Sequence, residues 1–355
     1  MTTDSLWSAR ADIAQHSLTH FYGTAEPQFL NNSYPDAPGG NETFNYWWLA
    51  HVIEARLDAY ERTGDQGWLD AAVAAYRNII DRNGSLFNDY FDDMLWYAIA
   101  IVRLADATGD SGYLADAVAI WEHVRAFGWN DTLGQSLAWR KQQLYYKNTP
   151  ANGPFAIVSC RLAERTGDAR YLPVALAAFD WIERTLVDPS NGFVEDGINR
   201  EENGRIDTQW RFTYNQGLYI GAAVELYHRT GDSSYLDRAA RTAVTAIDEL
   251  STDGVFRAEG DGGDEGLFKG IFYRYAELLL RELPDDSDQA ARIRGLIETS
   301  TDALVATSLD GDLLLAGNDW SVAPSGPIAY STELSAILAL EVRARVETRV
   351  PAARS

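Results

Sequence analysis

Two aspartates stand side by side in Tyr90-Phe91-Asp92-Asp93-Met94-Leu95-Trp96-Tyr97. A carboxyl pair does acid–base and nucleophilic chemistry when one member is ionised and the other holds a proton. Hydrolysis of a glycosidic bond is one reaction built that way. A lone Asp in the first turn of a helix serves as a cap, but a cap uses one Asp, and the second would face a buried wall. Neighbours on a helix point about 100° apart, so both reach one cavity only near a helix end. A helix N-terminus favours ionisation of both, and mutual repulsion opposes ionising the second. That competition separates one carboxylate from one proton-bearing acid.

Other chemistries find less support. His16 and His20 share a helix face but have no third metal ligand in the pattern, so no metal and no cofactor is expected. The acidic run Glu259-Gly260-Asp261-Gly262-Gly263-Asp264-Glu265 does not match the EF-hand spacing and reads as a loop. The single cysteine, Cys160, lies in an apolar helical run and reads as core. No phosphate-cradling glycine loop, nucleophile elbow or Cys–His pairing signal is present.

The elements that would hold the acids follow from a repeat. Thr-Gly-Asp recurs at Thr63, Thr108, Thr166 and Thr230, each time with an aromatic and a leucine following: Trp68-Leu69, Tyr113-Leu114, Tyr171-Leu172 and Tyr235-Leu236. Glycine ends one helix in the left-handed conformation, and Asp or a nearby Ser caps the next. Runs before the turn, such as Met94–Ala105 and Pro154–Ala163, are apolar nearly all round and read as buried helices. Runs after it are amphipathic, with Leu114, Val118, Trp121 and Val124 forming one stripe. Further helices are expected from Asp4 to Tyr22, Phe44 to Thr63, Phe268 to Leu280, Asp286 to Leu304 and Pro327 to Val346. The sum is about twelve: an all-α (α/α)6 barrel in one domain, 1–355. The motifs stand 45, 58 and 64 residues apart, too irregular for a stacked solenoid.

All the inserted length falls on connections that enter the inner helices, so it gathers on one rim, where function tends to lie. The rim segments are rich in aromatics: Tyr46, Trp47, Trp48, Trp129, Trp139, Tyr145, Tyr146, Trp210 and Trp320. Flat rings pack on the C–H faces of sugars, while amides and carboxylates take hydroxyls. The inner helices would point their N-termini at this rim, adding positive partial charge and free N–H groups.

A formal net charge of −22 excludes nucleic acid as a partner. No apolar run is long enough to cross a membrane. The N-terminus has no basic or apolar leader region, so a cytoplasmic location is the expectation, with secretion the alternative if a leader has been removed. A monomer is expected.

The ordered set Tyr46-Trp47-Trp48, Phe91-Asp92-Asp93 with Trp96, Lys147-Asn148-Thr149, Asn152-Gly153-Pro154, Thr213-Tyr214-Asn215-Gln216-Gly217 and Phe268-Lys269-Gly270 resembles family 76 of the glycoside hydrolases, the endo-α-1,6-mannanases. The resemblance implies an (α/α)6 barrel and retaining cleavage of α-1,6-linked mannose chains, with mannan or manno-oligosaccharide as substrate. It also implies Asp92 as nucleophile and Asp93 as acid/base. Tyr46, Trp47, Trp48, Trp96, Lys147, Asn148, Asn152, Tyr214, Asn215 and Lys269 are then expected to line the sugar cleft. The alternatives are another reaction on the same barrel, epimerisation or uronide hydrolysis, and a non-catalytic carbohydrate-binding protein. Endo and exo action are both open at this point.

Overall fold

The computed structural model describes residues 6–25 and 27–349. The expected first helix residue, Asp4, and the N-terminal segment read for a leader lie outside them. The described residues form helices α1 (Leu6–Tyr22), α2 (Tyr46–Thr63), α3 (Gln66–Asn83), α4 (Phe91–Thr108), α5 (Ser111–Gly128), α6 (Thr149–Thr166), α7 (Tyr171–Thr185), α8 (Thr213–Thr230), α9 (Ser234–Leu250), α10 (Asp264–Leu280), α11 (Asp288–Ser308) and α12 (Tyr330–Arg349). The even-numbered helices form a closed inner ring in which each packs on the next and α12 returns to α2. The odd-numbered helices lie outside, α3 on α2, α5 on α4, α7 on α6 and α9 on α8, with α11 against α12 and α9, and α1 on α12. This is the (α/α)6 barrel expected from the repeat.

The Thr-Gly-Asp turn works through three bonds. Thr63 Oγ1 donates to Ala59 O and accepts from Asp65 N, and Asp65 Oδ1 accepts from Gly67 N. Thr108 and Asp110 repeat all three. Gly64 sits at φ 72°, a conformation that an L side chain resists. Close approach within the inner ring also needs glycine. A Cβ on Gly217 would meet Phe272 Cα at 2.8 Å, and one on Gly270 would meet Ser335 Cα at 2.7 Å.

The inner helices are less apolar than their sequences suggest. Their C-terminal halves bring Glu54 and Asp58 of α2 against Arg103 of α4 and Arg274 of α10, with Arg345 of α12 at 3.5 Å from Asp58. Arg161 of α6 pairs with Glu225 of α8 at 2.7 Å. These paired long side chains fill the interior between the inner helices. One partner removed would strand a buried charge, so the set persists as a unit.

The opposite end is the loop rim. Antiparallel two-residue pairs stiffen it: Trp129–Asn130 with Ser136–Leu137, and Lys147–Asn148 with Gly197–Ile198. Ser33–Tyr34 pairs with Ile328–Ala329 and ties the first rim connection to the last.

Candidate active site

A cavity of about 410 Å³ opens at this rim, bordered by Asp92, Asp93, Trp96, Trp47, Trp139, Asp196, Arg200, Tyr214, Asp264 and Phe268, among others. Asp92 and Asp93 occupy the first turn of α4, whose first N–H, on Phe91, donates to Trp139 O at 2.9 Å. The two acids have different partners. Asp92 Oδ1 accepts from Asp93 N at 3.0 Å, and its Oδ2 accepts from Trp139 Nε1 at 2.9 Å. Asp93 Oδ2 accepts from Asn88 Nδ2 at 3.0 Å. Burial raises the pKa of both. Asp92 is pushed up to about 7, with the hydrogen bonds from Asp93 N and Trp139 Nε1 pulling back. Asp93 is pushed well above the usual carboxylate range by burial, then by the charges of Asp92 and Asp264. Two N–H donors on Asp92 against one amide on Asp93 favour the negative charge on Asp92 over Asp93.

One wall is a hydrogen-bonded cluster. Asp196 Oδ1 accepts from Tyr214 Oη at 3.0 Å and from Asn215 Nδ2 at 3.1 Å, and its Oδ2 accepts from Tyr146 Oη at 3.0 Å. Arg200 lies 3.2 Å from Asp207 and 3.4 Å from Asp196, with its guanidinium 3.9 Å above the Trp210 ring. The other wall is aromatic. Trp47 stacks on Trp96 at 6.2 Å, and Tyr214 stacks on Phe268 at 3.7 Å.

The expected cleft residues divide accordingly. Tyr46, Trp47, Trp96, Asn148 and Tyr214 border the cavity together with the two acids. Five expected residues do not. Trp48 is buried, its Nε1 donating to Asp264 Oδ1 at 2.7 Å and its ring edge-on to Tyr330. Lys147 is buried, and its Nζ donates to Asn130 O, Ser136 O and Ser136 Oγ. Asn152 is buried and latches the same hairpin through Leu137 N and O. Asn215 stands behind the wall and donates to Asp196. Lys269 is buried and donates to Asn318 O, while the Glu259 that neighbours it caps α8 through Thr213 N and Oγ1 at 2.6 Å each. Each of the five carries a polar group that needs a partner at a helix entry: backbone carbonyls of the rim supply it for Lys147, Asn152 and Lys269, and the carboxylates of Asp264 and Asp196 supply it for Trp48 and Asn215.

Several cavity residues were not expected from the sequence. Asp196 and Arg200 lie in a rim connection without a recognisable motif, as does Asn88, which stands behind Asp93 and donates to it. Trp139 was one aromatic among many. Asp264 lay within the acidic run Glu259–Glu265, and Phe268 stood beside the lysine of its motif. Among the described residues, no group of three or more His, Cys, Asp or Glu is arranged to hold a metal, and no helix is long and apolar enough to cross a membrane.

Comparison with known proteins gives a consistent result. The model of glycosyl hydrolase family 76 matches residues 5–346. Mannan endo-1,6-α-mannosidase DCW1 of Saccharomyces cerevisiae is 27% identical over 320 residues, 81% of this chain and 67% of that protein. Its counterpart from Eremothecium gossypii is 27% identical over 221 residues, 57% of this chain, and the match spans about half of that protein, 49%. Among solved structures, the Lin0763 protein of Listeria innocua superposes with a TM-score of 0.93 at 48% identity, covering 96% of this chain and 98% of that one. The GH76A α-1,6-mannanase of Salegentibacter sp. HEL1_6 superposes with a TM-score of 0.89 at 36% identity, covering 96% and 99%. An inactive variant of that mannanase, with two consecutive aspartates changed to asparagine, is known in complex with α-1,6-mannotriose.

Proposed function

The chain belongs to glycosyl hydrolase family 76, and from that membership and the cavity we propose that it hydrolyses α-1,6-linked mannose chains with retention of configuration. The carrying observation is the unequal pair. Asp92 accepts two N–H bonds that hold its carboxylate charged and oriented, while Asp93 beside it retains a proton.

In this reading Asp93 protonates the glycosidic oxygen as Asp92 attacks the anomeric carbon and the leaving chain departs. Asp93, now ionised, deprotonates a water that attacks the mannosyl–Asp92 ester. The second step frees Asp92 and returns the proton to Asp93. Trp47, Trp96 and Phe268 supply faces for the sugar rings, and Asp196 and Arg200 supply polar partners for hydroxyls.

The test is the anomer released first from linear α-1,6-mannan, read by NMR. The α-anomer supports the reading and the β-anomer overturns it. The length of the products separates endo from exo action. An epimerase would need histidines at the cavity. His51 is buried against Trp47 and Trp96, with burial pulling its pKa to about 3, and His228 pairs with Glu282 at a helix end away from the rim.

A further inference from the structure

The cavity contains a fourth carboxylate, beside Asp92, Asp93 and Asp196, that this mechanism leaves unused. Asp264 is the first residue of α10 and borders the same space as Asp92 and Asp93. Its Oδ1 accepts from Trp47 Nε1 at 3.0 Å and from Trp48 Nε1 at 2.7 Å. Among the described residues, its Oδ2 has no side-chain or backbone donor. Two indoles need only one acceptor oxygen, which an asparagine carbonyl would provide equally well. The second oxygen and the charge therefore answer to something other than the tryptophans.

The groups around the pair define what that is. On α4, Asp92 and Asp93 face each other. Tyr46 and Trp47 face them from α2, Asn88 and Tyr90 from the connection before α4, and Trp139 from the connection before α6. Asp196 and Arg200 face them from the connection before α8, Tyr214 from α8, and Asp264 and Phe268 from α10. Tyr330 of α12 and Glu265 face Asp264 itself. Among the described residues, Arg200 is the one cation bordering this cavity, and it is engaged with Asp196 and Asp207. Among the described residues no cation pairs with Asp264, so its charge bears on the pair.

We propose that Asp264 has two tasks in the hydrolysis described above: its Oδ2 accepts a hydroxyl of the mannosyl unit seated over Asp92 and Asp93, and its charge keeps the catalytic proton on that pair. The inference rests on the mannan-hydrolase reading, and the test separates the two. In Asp264→Asn the amide oxygen still accepts both indoles while the charge is gone. Carboxyl-carbon NMR titration of the unliganded protein should show the higher titration of the pair moving to lower pH. On α-1,6-mannotetraose, kcat/KM at neutral pH should fall about 10- to 100-fold, the cost of a lost hydrogen bond to a charged group. The basic limb of its pH profile should move down with the titration.

Titrations and a basic limb identical to wild type would overturn the charge task, and unchanged kcat and KM would overturn the hydroxyl contact. Asp264→Ala controls for packing, because it strips both indoles of their acceptor. A lowered Tm in that variant alone keeps the asparagine result interpretable. The titration needs no substrate, so it decides the charge task even if the wild-type protein leaves α-1,6-mannan intact, the outcome that would overturn the substrate reading instead.

Discussion

The indole of Trp139 donates to Asp92 Oδ2 at 2.9 Å, and the backbone carbonyl of the same residue accepts from Phe91 N, one position before the acids. One residue of the rim connection before α6 thus fixes both the start of α4 and the orientation of its first carboxylate. The helix end alone would leave Asp92 free to rotate about its side-chain torsions.

Trp139→Phe keeps the ring and removes the donor. The lost bond favoured the charged form of Asp92, so its pKa should rise and the acidic limb of kcat/KM should move up by about one unit, since one unit corresponds to ~1.4 kcal/mol. We expect kcat/KM to fall about tenfold near pH 6 and less near pH 8. A uniform loss at every pH would argue against this role for the bond.

Asp93 should also carry a cost in stability. Its folded pKa lies above its unfolded value, so the stability it contributes is fully present below about pH 4, the unfolded value for Asp, and is lost as pH rises through the folded pKa. Asp93→Asn should therefore be more stable than wild type by ~1–2 kcal/mol at pH 8, with the difference vanishing near pH 4. Activity on α-1,6-mannan should drop by roughly 10²- to 10⁴-fold. Thermal melts at both pH values, with assays alongside, check the two halves together.

The fold was legible because its determinants are local. A glycine that ends a helix and an aspartate that caps the next leave the same mark four times, and loop length sorted the rim from the turns. The acids were legible because two adjacent carboxyls before Met94 and Leu95 break the apolar pattern of α4. The ionic axis was not, because Arg103 in Ile101-Val102-Arg103-Leu104 reads as one charge on an apolar helix until Glu54 and Asp58 arrive from α2. The lysines misled for a related reason. The resemblance marks Lys147 and Lys269 at helix entries, and backbone carbonyls that meet them there satisfy them as well as a ligand does. Asp196 left no mark at all, since its function depends on Tyr146 and Tyr214 meeting it from two other segments.

Gly197 tests that meeting point. It pairs with Asn148, and a Cβ there would meet Tyr146 Oη at 2.3 Å and Cζ at 2.7 Å. The Tyr146 ring is buried and cannot swing away, so Gly197→Ala should displace the hydroxyl that holds Asp196 and Asp207. We expect ~1–3 kcal/mol lost in stability, the usual cost of overpacking, and a raised KM. Tyr146→Phe introduced into the same chain relieves the shortest contact and should recover part of the stability but not the KM. Recovery of both would show that the Tyr146 hydroxyl does not position Asp196.

Lys147 gives the last prediction, with opposed effects on one group. Its three acceptors, at 2.7–3.1 Å, match the three protons of an ammonium group, yet none is charged, and burial pulls its pKa down to about 7 with only Asp131 opposing. A folded pKa below the unfolded value means that folding carries a penalty at low pH, complete below about 7 and relieved as pH rises towards the ordinary lysine value. Lys147→Met removes that penalty but leaves Asn130 O and Ser136 O unpaired, at ~1–3 kcal/mol for each buried group. The variant should therefore be clearly less stable than wild type at pH 9 and closer to it at pH 6. The hairpin that Lys147 holds leads directly into Trp139, so the variant should also show the raised acidic limb of Trp139→Phe. In the double variant that shift should not add. Urea melts at the two pH values and a pH–rate profile of the single and double variants decide it, and additive shifts would disconnect Lys147 from Asp92.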